Sequence, residues 1–285
     1  MRQDEASPGS SGSTFGPIWT RYAVWPGAGV CLDESNSVLF SSGEDLLVKG
    51  WDLSISRSDG RNSDMPDMEP FATLRGHSAA VLSLAFRAQD RILFSAGMDG
   101  LIRAWTLPDG RLCEGLQPMG HKDSVWSLQH HAYLPCMASA GADGQMCLWN
   151  TEAQETSDSR LQASFVLKSP LPKGTLGPFA EADLPSCTAW VPALTSQLLA
   201  GYTSARVSVF DVRHGTQVLD LFPEGGASSA AAVTSTCAQQ LSQLVAVGHA
   251  DNKARLLDLP SGRFVGQVKH PECVTAVMLD PTNVP

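Results

Sequence analysis

The sequence predicts an all-β chain, an incomplete β-propeller of about five four-stranded blades plus the first strand of a sixth. Three observations carry this. Ser41, Ser95 and Ser139 each stand four residues before an Asp (Asp45, Asp99, Asp143), and Trp51, Trp105 and Trp149 stand six after it. Gly76-His77 and Gly120-His121 precede the second and third of these sets, each His 22 residues before its Asp. Short apolar runs with turn residues between them fill the intervals, as in Val81–Phe86, Ile92–Ser95 and Leu101–Trp105. Short β-branched and aromatic runs bounded by Gly and Asp read as strands, and no capped stretch of helical period interrupts them.

The spacing of Gly-His to Trp-Asp, with successive Trp residues 54 and 44 apart, resembles the WD-repeat pattern, one four-stranded blade per repeat. That resemblance implies a job for each residue. His from the loop entering a blade, Ser on the second strand, Asp in the turn and Trp on the third strand form a buried hydrogen-bonded chain. Asp fixes the His tautomer, His donates to Ser, and Ser meets the indole N–H. Such a network stabilises only when every member is satisfied. The complete sets are His77–Ser95–Asp99–Trp105 and His121–Ser139–Asp143–Trp149. The set Ser41–Asp45–Trp51 has Ala23 in the His place.

Two further units are degenerate. Leu198–Ser204 leads to Val207–Asp211, with Phe210 in the Trp place and Ser204 in the Asp place. Leu244–Asp251 leads to Ala254–Asp258, with Leu257 standing for Trp. His270–Leu279 opens a sixth unit. Five units and a strand fall short of a closed ring, and an open arc leaves two sheet edges. The expectation is a piece of a longer chain; the alternative is a natural open form covered by a partner. Residues 1–13, polar and rich in Ser and Gly, are expected to be a disordered tail. Residues 14–285 form the partial propeller, with long loops at 54–67 and 152–185.

Composition narrows the function classes. A net charge of −9 with no basic stripe argues against nucleic acid as partner. The N-terminus has no apolar core of a signal peptide, and no run approaches the length of a membrane span. Seven cysteines, an odd number with no Cys-x-x-Cys pair, read as reduced thiols and point to the cytoplasm.

Pro26–Val30 holds a Gly-x-Gly without a third Gly or a following helix, so it reads as a turn. His130 and His131 are adjacent, and neighbours on a strand point to opposite faces, which separates two would-be metal ligands. The His77–Asp99 and His121–Asp143 pairs are explained by the repeat, without a nucleophile. Lone carboxylates at Asp45, Asp99 and Asp143, one per blade, do not build a calcium shell. Cys147 reads as core. No catalytic residue, metal site or cofactor is assigned. Loops entering each blade are where recognition concentrates; the candidates for protein binding on that face are Ser78, Ala79 and Ala80, with Lys122, Asp123 and Ser124.

Within WD-repeat proteins the chain resembles the propeller of the striatin family. The polar insert Ser54–Asp67 followed by Met68–His77 is similar to the striatin insert and its Glu-Pro, aromatic, Arg and His sequence. Gly120–Leu128 is similar to the striatin Gly-His-x-Asp-Ala-Val-Trp-Gly-Leu, and Phe210–Leu219 and Gly248–Asp258 follow the family's degenerate blades. The resemblance covers about Phe15 to the end. It implies a non-catalytic scaffold: striatins are regulatory subunits of protein phosphatase 2A and hold phosphatase–kinase (STRIPAK) assemblies together. Their calmodulin-binding helix and dimerising coiled coil have no counterpart here, so those activities would belong to residues upstream. Two rivals stay open: a generic WD-repeat adaptor such as a ubiquitin-ligase substrate receptor, and a propeller hydrolase. The hydrolase would need convergent titratable groups around the channel.

Overall fold

The computed structural model describes residues 29–33, 37–54, 69–113, 120–151, 163–167, 183–192, 194, 196–223, 231–239 and 243–279. Their regular structure is entirely β, arranged as five four-stranded antiparallel sheets in which each strand pairs with its predecessor. The first sheet is β1 (Val30–Asp33), β2 (Val38–Ser42), β3 (Leu47–Asp52) and β4 (Ala72–Arg75). The second is β5 (Val81–Arg87), β6 (Ile92–Gly97), β7 (Ile102–Thr106) and β8 (Arg111–Leu112). The third is β9 (Val125–His130), β10 (Cys136–Gly141), β11 (Met146–Asn150) and β12 (Ala163–Leu167). The fourth is β13 (Pro185–Trp190), β14 (Gln197–Tyr202), β15 (Val207–Asp211) and β16 (Thr216–Leu221). The fifth is β17 (Val233–Ala238), β18 (Leu244–His249), β19 (Lys253–Asp258) and β20 (Arg263–Lys269). Successive first strands β1, β5, β9, β13 and β17 pack beside one another, so the sheets are blades of a propeller that is incomplete and not closed.

The burial pattern follows from this stacking. A middle strand has a neighbouring blade on each face, so both alternating sets of side chains must be apolar or small. All six residues of β6 are buried, as are five of the six in β14. The fourth strand lies at the rim, and β16 alternates exposed with half-buried residues. The core therefore lies between blades. One cluster joins Phe94 and Ile102 of the second blade to Met137 and Trp149 of the third. Others join Ala138 and Leu148 to Leu198 and Phe210, Leu199 and Val209 to Val245 and Leu257, and Phe40 and Val48 to Leu93 and Trp105.

A hydroxyl on each of several first strands fastens it to the next. Ser83 Oγ accepts from Leu128 N at 3.0 Å, Ser127 Oγ from Thr188 N at 3.1 Å and Ser235 Oγ from Val277 N at 3.4 Å. A second hydroxyl donates to the opening of the next blade: Ser42 to Val81 O at 3.1 Å, Ser186 to Val233 O at 2.7 Å and Thr234 to Val274 O. Residues Val274–Val277 thus run beside β17 as other first strands run beside their predecessors, although they form no ladder among the described residues.

The structure corrects the expected long loop at 152–185. That interval holds β12, the fourth strand of the third blade, and Pro185 already begins β13. A rim strand pairs on one side only, so five residues set in polar and Pro-rich surroundings carried too weak a signal to be read. The expected tail 1–13 and the body of the 54–67 loop lie outside the described residues.

The turn between second and third strands repeats its backbone in all five blades. The residue after the Asp place is left-handed each time: Leu46 (φ 65°), Gly100 (φ 75°), Gly144 (φ 77°), Ala205 (φ 67°) and Asn252 (φ 64°). Gly and Asn suit that conformation, whereas a side chain such as Leu costs about 1–2 kcal/mol there. Leu46→Gly is therefore expected to stabilise the chain by about 0.5–1 kcal/mol, the strain relief less glycine's entropy. Urea unfolding checks this, and an unchanged or lowered midpoint would show that Leu46 is not strained.

Candidate functional site

The repeat residues meet at one end of the blades, where the entering loop crosses the turn between second and third strands. In the second blade, Asp99 Oδ2 lies 2.9 Å from His77 Nδ1, His77 Nε2 lies 2.8 Å from Ser95 Oγ, and Trp105 Nε1 donates to Ser95 Oγ at 2.8 Å. Asp99 also accepts from the backbone N–H groups of Ser78 and Leu101, both at 3.1 Å. One carboxylate thus ties the entering loop to the turn. In the third blade, Asp143 Oδ1 to His121 Nδ1 is 2.9 Å, His121 Nε2 to Ser139 Oγ is 2.7 Å and Trp149 Nε1 to Ser139 Oγ is 2.8 Å. Asp143 accepts from Lys122 N and Gln145 N, both at 3.0 Å.

The direction of one bond is corrected. Burial lowers the pKa of His77 below its ordinary 6.5, against the pull of Asp99. A neutral imidazole whose Nδ1 faces a carboxylate must carry its proton on Nδ1, so Nε2 is an acceptor. Ser95 therefore donates to His77, rather than the reverse, while accepting from Trp105. Serine suits this position because its single oxygen can do both.

The other three blades supply the turn with ion pairs of different origin. Asp45 accepts from Lys49 Nζ at 2.6 Å, and Trp51 still donates to Ser41 at 2.8 Å. The His place of this blade, Ala23, lies outside the described residues. Asp251 pairs with Arg255 at 2.6 Å, four residues on along β19. In the fourth blade the polarity is reversed. The carboxylate is Asp183, on the entering loop, and it accepts from Arg206 Nε at 2.9 Å and from Ser204 N at 3.2 Å. Both side chains of the Asp183–Arg206 pair are buried, and the guanidinium stacks 3.9 Å over the Tyr202 ring. Where Trp is replaced, its Ser partner is also gone: Ala200 accompanies Phe210, and Val247 accompanies Leu257.

The sequence reading missed Asp183 and Arg206. The signal was present as a charge swap, with Asp183 lying 21 residues before Ser204 and Arg206 two after it. It also missed the cations that follow Asp45 and Asp251 by four residues.

The Asp99–His77–Ser95 order is that of a hydrolytic triad, yet Ser95 is fully buried and its oxygen already accepts from Trp105. A hydroxyl in that position has no access to a substrate. His130 and His131 do not converge: His130 Nε2 meets Thr151 Oγ1 at 3.1 Å, whereas His131 Nδ1 accepts from the N–H groups of Tyr133 and Leu134. Among the described residues no group of three His, Cys, Asp or Glu could hold a metal ion. Burial pushes the Cys147 thiol up to about 12, so it is inert as a nucleophile.

The candidate surface residues divide. Ser78, Lys122 and Asp123 are exposed, and Ala79 and Ala80 are half-buried beside them. Ser124 is buried, which corrects its assignment to the surface: its N–H and hydroxyl both donate to Asp123 Oδ1, and its carbonyl accepts from Ala142 N. Exposed Leu46 and Met98 stand in the adjoining turns.

Two outcomes follow. Ser95→Ala strands the indole N–H of Trp105 and Nε2 of His77, and is expected to cost about 3 kcal/mol. Adding Trp105→Phe reproduces the Ala200/Phe210 pairing, so the double loss should fall short of the sum by about 0.5–3 kcal/mol in urea unfolding; strict additivity would refute the coupling. The second concerns pH. The lowered pKa of His77 means the folded state favours the neutral ring. Its stabilisation is complete above 6.5 and is lost as pH falls below that value. Burial raises the Asp99 pKa, but the Ser78 N–H and His77 outweigh it, so its carboxylate is held below the ordinary 3.8. Its contribution therefore survives this window and is lost only at lower pH. His77→Gln should flatten the fall in stability between about pH 6.5 and 5; an unchanged slope would contradict it.

Comparison with known proteins agrees with the geometry. The family described as "WD domain, G-beta repeat" matches residues 68–106 and 114–150, the stretches that hold the two complete sets. The chain is 25% identical over 282 residues to Striatin-4 of Mus musculus, covering 95% of this chain and 35% of that protein. It is 26% identical to Striatin of Homo sapiens over 259 residues, covering 87% of this chain and 31% of that protein. It is also 26% identical to the Striatin homolog of Dictyostelium discoideum over 274 residues, with the same two coverages, 87% and 31%. The chain spans about a third of the length of the curated relatives it matches. The blades, their clamped turns and this near-complete coverage together make the chain a WD-repeat region that is similar to those of striatins.

Proposed function

We propose that the chain is a non-catalytic protein-interaction scaffold of the striatin kind, working in the cytoplasm as part of a phosphatase 2A–kinase assembly. The observation that carries this is the likeness to striatins over 95% of the chain, with the repeat sets intact in the two best-formed blades. The physics agrees with a scaffold. The titratable groups with catalytic-looking geometry are spent on holding loops to turns, and the loops so held present short side chains at a rigid rim. Rigid loops on a stiff frame lose little entropy on binding. The docking surface is the row formed by Ser78–Ala80 and Lys122–Asp123, continuous with the turns bearing Leu46 and Met98. The loops are linked by backbone bonds from Val81 N to Gly43 O and from Met98 N to Ala80 O.

Affinity purification of the tagged chain from cells, with quantitative mass spectrometry, tests this. Phosphatase 2A subunits are expected among the captured proteins. Their recovery should fall about tenfold in a Lys122→Glu variant, whose side chain is exposed. Capture of ubiquitin-ligase subunits without any phosphatase subunit would overturn the assembly in favour of the adaptor.

A further inference from the structure

The third blade carries an apolar knob at the end opposite the docking row. Tyr133 and Leu134, in the turn between β9 and β10, are 70% and 44% exposed. The backbone of this turn is tightly held. The N–H groups of Tyr133 and Leu134 both donate to His131 Nδ1, at 3.0 and 2.9 Å, and Cys136 N donates to Leu134 O at 2.7 Å. His131 is itself buried and stands edge-on to Trp190, with 4.8 Å between ring centroids. Trp190 Nε1 donates in turn to Gln129 O at 3.1 Å. A buried imidazole thus fixes a backbone whose two large side chains stay in water. Tyr on a fixed backbone is a strong contact residue, because it covers much area for little lost freedom.

Beside the knob is a hole. A cavity of about 390 Å³ opens among the ends of β1, β5 and β9, and its lining includes Leu32, Phe86, Arg87, Gln89, His131 and Ala132. Ala132 directly precedes Tyr133, and the His131 that lines the hole also holds the knob, its ring 6.2 Å from that of Tyr133. Leu32 is 47% exposed, and Phe86 is half-buried. The charged groups around the hole are already matched. Arg87 donates to Thr151 O and lies 2.5 Å from Asp90, and Asp33 is buried and has a partner. The hole therefore suits a neutral, largely apolar group rather than an ion. Tyr133, exposed as it is, does not fill the hole of its own chain. A knob and a hole on one patch form a self-complementary surface, since a two-fold axis between them brings each knob to the hole of the other copy.

We propose that two copies of this chain associate through this patch, each seating Tyr133 and Leu134 against Leu32 and Phe86 of the other. The phenol hydroxyl lies at the mouth of the hole, where the exposed Gln89 meets it. Each aromatic side chain so covered removes about 150–250 Å² from water. Two rings with their leucines reach the size of a weak, reversible contact, below about 1,200 Å² in total. The dimer accordingly has a Kd on the order of 10–100 µM.

Sedimentation velocity of the full 285-residue chain, from about 1 to about 300 µM, tests this. Reducing conditions keep the thiols from linking copies. The chain should pass from monomer to dimer across that range. Tyr133→Ser and Leu32→Glu both change exposed side chains, one on the knob and one at the hole, and each should weaken association about tenfold or more. Mixing the two variants tests the reciprocal geometry. The knob of the Leu32→Glu chain meets the unaltered hole of the Tyr133→Ser chain, one intact contact where either variant alone has none. The mixture should therefore associate more tightly than either component. A chain that stays monomeric throughout, or a mixture no tighter than its components, would overturn the proposal. So would a dimer unchanged by both substitutions, which would place the contact at the open blade edges instead.

Discussion

A carboxylate held where the loop entering a blade meets the turn from second to third strand is the constraint on which the rest of this chain depends. Out of bulk water an ionised carboxylate must be given donors or a counter-charge. The buried carboxylates meet the demand with imidazoles in the second and third blades and with Arg206 in the fourth, where the carboxylate has moved to the entering loop; the more exposed Asp251 and Asp45 pair with Arg255 and Lys49. The partner varies, and in the fourth blade so does the carboxylate, but the turn keeps a left-handed residue at the same place in all five.

This constraint reaches into the packing. Where imidazole is the partner, its far nitrogen must be satisfied, and the Ser–Trp pair does that while the indole fills the layer between blades. Where an alkyl-chain cation is the partner, the need for Ser weakens, and Phe210 or Leu257 can replace Trp with Ala200 or Val247 behind it. Loss of Trp in the fourth and fifth blades is thus a coupled exchange of a polar chain for an apolar one, which is why the degenerate blades are no less buried than the complete ones. The first blade stands between these cases, with Ser41 and Trp51 retained beside a lysine.

The blade count, the strand order within each hairpin and the members of both complete sets were legible in the sequence, because a repeated spacing shows itself without any knowledge of contacts. What was illegible depended on pairing or on exposure. β12 escaped because a rim strand pairs on one side and needs no strong alternation. Asp183–Arg206 escaped because the charges exchange places, which a search for the residue types in their usual order cannot see. The buried state of Ser124 escaped because a loop serine is ordinarily exposed, and here a neighbouring aspartate folds it inward. The proton direction at Ser95 could only be settled once the carboxylate was seen at Nδ1 of His77.

Hydrogen exchange at the tryptophan indole N–H groups probes the clamp most directly. Trp51, Trp105 and Trp149 all donate to a serine at 2.8 Å, but among the described residues only the last two serines are backed by an imidazole and a carboxylate. If the buried carboxylate orders each blade, the indoles of Trp105 and Trp149 will exchange far more slowly than that of Trp51 under native conditions. Equal exchange at all three, or fast exchange at Trp105 and Trp149, would show that the chain of hydrogen bonds is incidental to the fold.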